Sequence, residues 1–187
     1  MTTPTKKKPA LFLDRDGVIN RDVGFVHKIE DFEFFREIFE ICRDFNCLEI
    51  PIVVVTNQSG IGRGMFTLDD FMSLNNWMLS EFQKQKVSIT KVYFCPSSPN
   101  LQFDSRRKPE PGMILEAAQE FDIDLKNSIM IGDKESDMIA ATVAGIESRI
   151  IIEDCVRDGS TATSSVKNHG ELLEVMQEYL FKIKSII

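Results

Sequence analysis

The sequence predicts an α/β fold in which a mostly parallel sheet is covered by helices on both faces. Three observations predict it. Five short apolar runs have the length and boundaries of buried strands. Segments with helical apolar spacing alternate with them, and a polar loop follows each strand. With 187 residues, no internal repeat and no break in composition, one domain is expected over residues 1–187, with 1–9 as a flexible tail.

The first strand is Leu11–Leu13, which ends abruptly in Asp14, Asp16 and Gly17. A polar loop follows over residues 20–30, and apolar residues from Phe32 through Phe35, Ile38, Phe39 and Cys42 keep the spacing of a helix face. Ile50–Val55 reads as the second strand, with Pro51 tolerable only at its start. The glycine-rich stretch Thr56–Gly64 comes next, and Thr67 with Asp70 forms a capping box that opens a helix to about Lys86. Lys91–Cys95 is the third strand, and prolines 96, 99, 109 and 111 lie near the ends of the loop after it. Pro111 opens a helix bearing Ile114, Ala117, Ala118 and Phe121. Ser128–Ile131 is the fourth strand, followed by a short helix over about Ser136–Ala144 that stops at Gly145. Ser148–Ile152 is the fifth, and a Ser/Thr-rich linker leads to a last amphipathic helix with Leu172, Val175, Met176, Tyr179 and Ile183.

Bulk properties narrow the function. A formal net charge of −7 argues against nucleic acid or an anionic membrane as partner. The one basic run, Lys6-Lys7-Lys8, reads as solvated tail. No leader pattern or membrane-length apolar run occurs, and the four cysteines form no C-x-x-C, which suits a reducing compartment. A cytoplasmic location is expected.

Loops at the carboxyl ends of parallel strands gather along one sheet edge, where ligands bind. Asp14 and Asp16, two apart on an extended backbone, point the same way, and two carboxylates together want a cation or a shared proton. A lone D-x-D can equally be a solvated turn. The second loop adds Thr56, Asn57 and Ser59, the third Arg107 and Lys108, and the fourth Asp133, with Lys134 and Asp137 behind it. Each has a plain structural reading as turn former, surface charge or helix cap. Their coincidence, each beside a strand or helix end, favours a phosphoryl-transfer site. Acids with Mg²⁺, cations for phosphate charge and a nucleophilic aspartate supply that chemistry.

The motifs Asp14-Arg-Asp-Gly-Val18, Val55-Thr56-Asn57, Lys108-Pro109 and Gly132-Asp-Lys-Glu-Ser-Asp137 resemble those of the haloacid dehalogenase superfamily of phosphatases. The resemblance covers about residues 10 to 154. It implies a Rossmann-like sheet and, since no long insertion follows either of the first two motifs, a capless fold. Asp22-Val-Gly-Phe25, Thr56 through Gly64, Arg107 through Met113 and Gly132-Asp-Lys134 are similar to the heptose 1,7-bisphosphate phosphatases within it. The related histidinol-phosphate phosphatases share much of this pattern.

The resemblance implies that Asp14 is the nucleophile, and that Asp16 is the general acid and then base. Thr56, Arg107 and Lys108 would stabilise the transferring phosphoryl group. Mg²⁺ would be held by Asp14, Asp133 and the main-chain carbonyl of Asp16. Asp22, Val23, Gly24, Phe25, Asn57, Gln58, Ser59 and Lys134 would hold the substrate, a small phosphorylated sugar. Asp137 would orient the metal's surroundings. A monomer and a role in making activated heptose for bacterial surface polysaccharide are further implications. Many of these heptose phosphatases carry zinc on Cys/His pairs in the third loop. Here those positions read Cys95-Pro-Ser97 and Asp104-Ser-Arg106, so no zinc is predicted.

Three other readings compete. A receiver domain would carry its phosphorylated aspartate at the end of the third strand, where this chain has Cys95. A dinucleotide-binding domain would need a glycine spacing that Gly60-Ile-Gly-Arg-Gly64 lacks. A sugar-phosphate-binding protein without activity would not need the intact set Asp14, Asp16, Lys108 and Asp133.

Overall fold

The computed structural model describes residues 7–99, 103–155 and 157–184. Among them six parallel strands form one sheet. They are β1 (Leu11–Leu13), β2 (Ile52–Asn57), β3 (Lys91–Cys95), β4 (Ile129–Gly132), β5 (Ser148–Ile152) and β6 (Ser164–Val166). The helices are α1 (Glu37–Cys47), α2 (Ser59–Gly62), α3 (Leu68–Lys84), α4 (Gly112–Glu120), α5 (Glu135–Ala144) and α6 (His169–Ile183). The strand order is β3-β2-β1-β4-β5-β6. β1 is central, with Leu13 level with Val54 on one side and Ile131 on the other.

Side-chain alternation splits the sheet into two cores. Leu11, Leu13, Ile52, Val54, Ile129, Ile131 and Ile150 face α1, α3 and α6. Phe12, Val53, Val55, Met130 and Ile151 face α4 and α5. The inner strands β1, β2 and β4 therefore read as continuous apolar runs, because both of their faces are buried. No helix among the described residues is long and apolar enough to cross a membrane.

Several boundaries differ from expectation for definable reasons. The aromatic segment from Phe32 does not enter the helix until Glu37. Phe35 N donates to Ile19 O at 3.0 Å and Arg21 N to Glu33 O at 2.9 Å, and this antiparallel pairing keeps the approach extended. Phe34 packs among Phe32, Phe39, Trp77 and Phe82, and of the residues at helical spacing only Ile38, Phe39 and Cys42 lie in α1. β2 runs to Asn57, so Thr56 and Asn57 end a strand instead of opening a loop. The short α2 interrupts the glycine-rich stretch. β6 was hidden in the Ser/Thr-rich linker because only Val166 of its three residues is buried.

The expected tail also needs correction. Lys8 bridges Ile123, Pro9 is buried, and Lys7 pairs with Asp122 at 3.2 Å, while residues 1–6 lie outside the described residues.

α6 packs across α1, where fully buried Phe45 stacks on Tyr179 at 6.2 Å between ring centroids. Its first residue, His169, stacks on Phe35 at 3.6 Å and hydrogen-bonds Val18 O at 2.9 Å. The last helix thus braces the loop that leaves β1. Phe45→Ala should cost about 3–5 kcal/mol through lost burial and a residual cavity, lowering Tm by roughly 10 °C. A calorimetric loss below about 1 kcal/mol would show that this contact contributes little.

Candidate active site

The chain runs outward from β1 to β2 and β3, then returns to β4 on the opposite side of β1. Such a reversal leaves a crevice beyond the carboxyl ends of the two central strands. Asp14 sits at its base, its amide still bonded to Ile131 O of β4 at 3.0 Å. The turn that follows is tight: the Arg15 carbonyl accepts from the amides of Val18, Ile19 and Asn20.

Two glycines let carboxylates approach from β4. Gly17 has φ +88°, and a Cβ there would lie 2.3 Å from Asp133 Oδ2. A Cβ on Gly132 would lie 2.4 Å from that of Asp137. Oxygens of Asp14, Asp133 and Asp137 consequently lie within 4.8 Å of one another.

This crowding needs compensation. Lys108, buried within the loop after β3, places Nζ 2.9 Å from Asp14 Oδ1 and 2.5 Å from Asp137 Oδ1, and donates to Val55 O at 2.7 Å. Burial opposes the lysine's charge, but Asp137 and Asp14 outweigh it and hold the ammonium above its ordinary pKa. Asp14 is pushed upward by burial and by Asp137, with Lys108 opposing. Asp133 keeps a surplus of negative charge: burial, then the charge of Asp14, push its carboxyl up to about 7. Asp133 Oδ1 is buried without a hydrogen-bond partner. An unpaired buried carboxylate oxygen beside a second carboxylate suits a hard divalent cation. Asp14 and Asp133 therefore fit a metal. Asp137 is committed to Lys108 and, through Oδ2, to the Lys134 amide at 3.1 Å.

A cavity of about 410 Å³ opens over this floor, lined by most of the expected site residues. Thr56 and Ser59 reach it, and so does Arg107, whose Nη1 donates to Ser97 O at 2.8 Å. Asp22, Gly24, Phe25 and Lys134 form a rim, closed by a 3.0 Å contact between Lys134 Nζ and Asp22 Oδ2. Val23 is 60% exposed and does not line the cavity.

Asn57 and Gln58, expected to hold substrate, line the cavity but have committed amides. Asn57 clamps the main chain of Lys108, donating to its carbonyl at 2.9 Å and accepting from its amide at 3.1 Å. Gln58 Nε2 donates to Asp16 Oδ2 at 3.0 Å and Thr56 Oγ1 at 2.9 Å. Asn57 is thereby tied to Lys108 at both ends of its amide, and Gln58 to Asp16 and Thr56 through its nitrogen.

In the third loop Asp104 accepts from Cys95 Sγ at 3.2 Å, Ser97 Oγ at 2.5 Å and the Arg106 amide at 2.9 Å. A carboxylate thus ties the end of β3 to the segment presenting Arg107 and Lys108. Sequence reasoning missed this tie, and it missed Arg15, whose guanidinium binds Asp16. Alternation along a strand turns the residue between two aspartates away from them, and only the turn after β1 brings it back.

A crevice at the sheet's switch point, with paired acids facing a buried lysine, defines a hydrolase that handles phosphoryl groups. Comparison with known proteins agrees. Residues 105–171 match a family model described as HAD-hydrolase-like. A D-glycero-alpha-D-manno-heptose-1,7-bisphosphate 7-phosphatase of Campylobacter jejuni is 47% identical over 92% of this chain and 98% of its own. Its namesake in Burkholderia mallei is 48% identical over 86% and 88%. The beta-anomer enzyme of Escherichia coli K12 is 40% identical over 89% and 88%. A crystal structure from Mesorhizobium loti, described as a candidate HAD-like phosphatase, superposes with TM-score 0.80 at 32% identity, covering 92% and 88%. The chain belongs to the haloacid dehalogenase-like hydrolases and is a phosphatase, a hydrolase of phosphoric monoesters.

The raised pKa of Asp133 makes cation binding depend on pH. Below about pH 7 a divalent ion must displace a proton, so apparent Mg²⁺ affinity should fall by up to about tenfold per pH unit. The metal-free fold holds this proton more tightly than the unfolded chain. Its stability should therefore drop as pH rises from the ordinary carboxylate range through about 7. Mg²⁺-induced increases in Tm should accordingly be large at pH 8 and small at pH 6. An increase that is the same at both pH values would exclude Asp133 as a ligand.

Proposed function

We propose that the protein is an Mg²⁺-dependent phosphatase that removes the C7 phosphate of D-glycero-D-manno-heptose 1,7-bisphosphate through an aspartyl-phosphate on Asp14. The observation that carries the reading is the Asp14–Lys108 pair at the floor of the cavity. It supplies a nucleophile and a fixed cation at 2.9 Å, beside the unpartnered oxygen of Asp133. Support for the substrate comes from relatives of this name that are 40 to 48% identical over most of both chains.

Asp14 attacks phosphorus while ionised, although the phosphate is itself anionic. Two like charges at 4 Å repel by about 4 kcal/mol at an effective dielectric of 20. Lys108 and Arg107 oppose that repulsion from the cavity wall, and Thr56 offers a hydroxyl. Mg²⁺, when held by Asp14, Asp133 and the Asp16 carbonyl, would neutralise further charge on the phosphoryl oxygens. Asp16 gives a proton to the departing sugar oxygen, then takes one from the water that attacks the aspartyl-phosphate. At the rim, Lys134 is poised for the remote part of the sugar: burial opposes its charge, but Asp133 and Asp22 raise its pKa further. The fold is read as a single capless domain, since the spans after β1 and β2 hold only short elements and α3.

Anomer preference is assigned to the α form, because the two relatives named for it exceed the β-named one in identity. Phosphate release should be measured with both heptose bisphosphate anomers and with histidinol phosphate. The α anomer should turn over fastest, and only with Mg²⁺. Asp14→Asn should reduce turnover by at least about a thousandfold, about 4 kcal/mol of transition-state stabilisation. Preference for histidinol phosphate would overturn the substrate, and undiminished activity in Asp14→Asn would overturn the mechanism.

A further inference from the structure

Arg15 is the largest fully buried side chain among the described residues, 1% exposed, and it does not line the cavity. Its Nη2 donates to Asp16 Oδ1 at 2.8 Å and Oδ2 at 2.9 Å, and its Nε to Oδ1 at 3.2 Å. Nη2 also donates to Val26 O at 2.7 Å. Phe32 and Phe71 flank the guanidinium at 5.9 and 5.8 Å from their ring centroids. A buried guanidinium persists only with a paired charge, and Asp16 is that pair. Two amides complete the cradle: Asn20 Nδ2 at 3.0 Å from Oδ1 and Gln58 Nε2 at 3.0 Å from Oδ2.

We propose that Arg15 is a positioning residue that fixes the Asp16 carboxyl group for proton transfer to the leaving oxygen. This rests on the reading of Asp16 as acid and base. In the step it serves, the bond from Asp14 to phosphorus forms and the bond from phosphorus to the sugar oxygen breaks. The electron pair of that bond stays on oxygen, which takes the Asp16 proton. Asp16 recovers a proton from the attacking water in the second step, so the cycle closes without another reactant. A planar fork lying near two aromatic rings bonds both oxygens of the carboxyl group, which a single ammonium cannot do in fixed geometry. The five hydrogen bonds that the Asp16 carboxyl group accepts suit the ionised form that takes a proton from water, and one of them opens when Asp16 carries the proton it gives to the sugar oxygen. The Val26 contact links the same guanidinium to the segment just beyond Phe25 on the cavity rim.

The test compares kcat/KM, which reports events through formation of the aspartyl-phosphate, for the heptose bisphosphate and for p-nitrophenyl phosphate. Nitrophenolate departs without a proton, so the acid matters for the sugar substrate alone. Arg15→Lys should lose at least tenfold more on the sugar than on the aryl phosphate, in the same direction as Asp16→Asn. The double variant should show no selectivity beyond Asp16→Asn. A purely structural role would lower both substrates equally, and that result overturns the proposal. Selectivity in Asp16→Asn without selectivity in Arg15→Lys also overturns it, while leaving Asp16 as the acid. No selectivity in Asp16→Asn removes the reading on which the proposal rests. Should Arg15→Lys fail to fold, Phe71→Leu removes one face of the clamp and keeps the guanidinium. It should shift selectivity severalfold the same way, and equal losses on both substrates would overturn the proposal.

Discussion

The structure turns on a problem of like charge: Asp14, Asp133 and Asp137 bring oxygens within 4.8 Å of one another at the end of the central strands. Lys108 is the protein's own answer, bonded to two of the three and to the Val55 carbonyl. Its position depends on Asn57, which clamps its main chain from the end of β2. Lys134 reaches the third, Asp133, only through Oδ2 at 3.4 Å from the rim. The surplus falls on Asp133, with its pKa near 7 and its unpartnered oxygen. That surplus of negative charge suits a divalent cation.

Around that floor the fold divides labour among its loops. The β1 loop supplies Asp14 and Asp16, the proposed nucleophile and acid, and it is held from behind by α6, through His169 and Val18. The loop after β3 brings the cations and is tied to its strand by Asp104. The rim joins residues 112 positions apart in sequence through Asp22 and Lys134. Substrate would meet a rigid floor and a rim held by an exposed ion pair, the kind that contributes little to stability and yields readily. That contrast suits a site that must exchange a polar sugar quickly while holding its reacting groups still.

Most of the architecture was legible because both sheet faces are buried. Continuous runs such as Ile52–Val55 and Ile129–Ile131 have no other comfortable home, and polar loops after them mark the active edge. Thr67 and Asp70 form the capping box as read, and Gly145 ends α5 at φ +93°. What misled was local pattern without pairing information. Phe32 and Phe35 match helical spacing, yet backbone bonds of Glu33 and Phe35 with residues 21 and 19 hold the segment between them extended. Ser164–Val166 carries almost no apolar signal, yet pairs with β5 at the sheet edge.

By itself the sequence determined five of the six strands, the active edge and the chemical inventory of the site, since these follow from burial, strand period and residue type. Only the tertiary structure decided which of those groups are free to act. Residue type could not show that the amides of Asn57 and Gln58 are bound to Lys108, Asp16 and Thr56. Arg15 could not be placed at all. Strand alternation turns it away from the aspartates on either side, and only the turn after β1 brings its guanidinium back to Asp16. The reason is physical: periodicity says which way a side chain leaves the backbone, whereas hydrogen-bond partners come from whatever the fold carries to the other end.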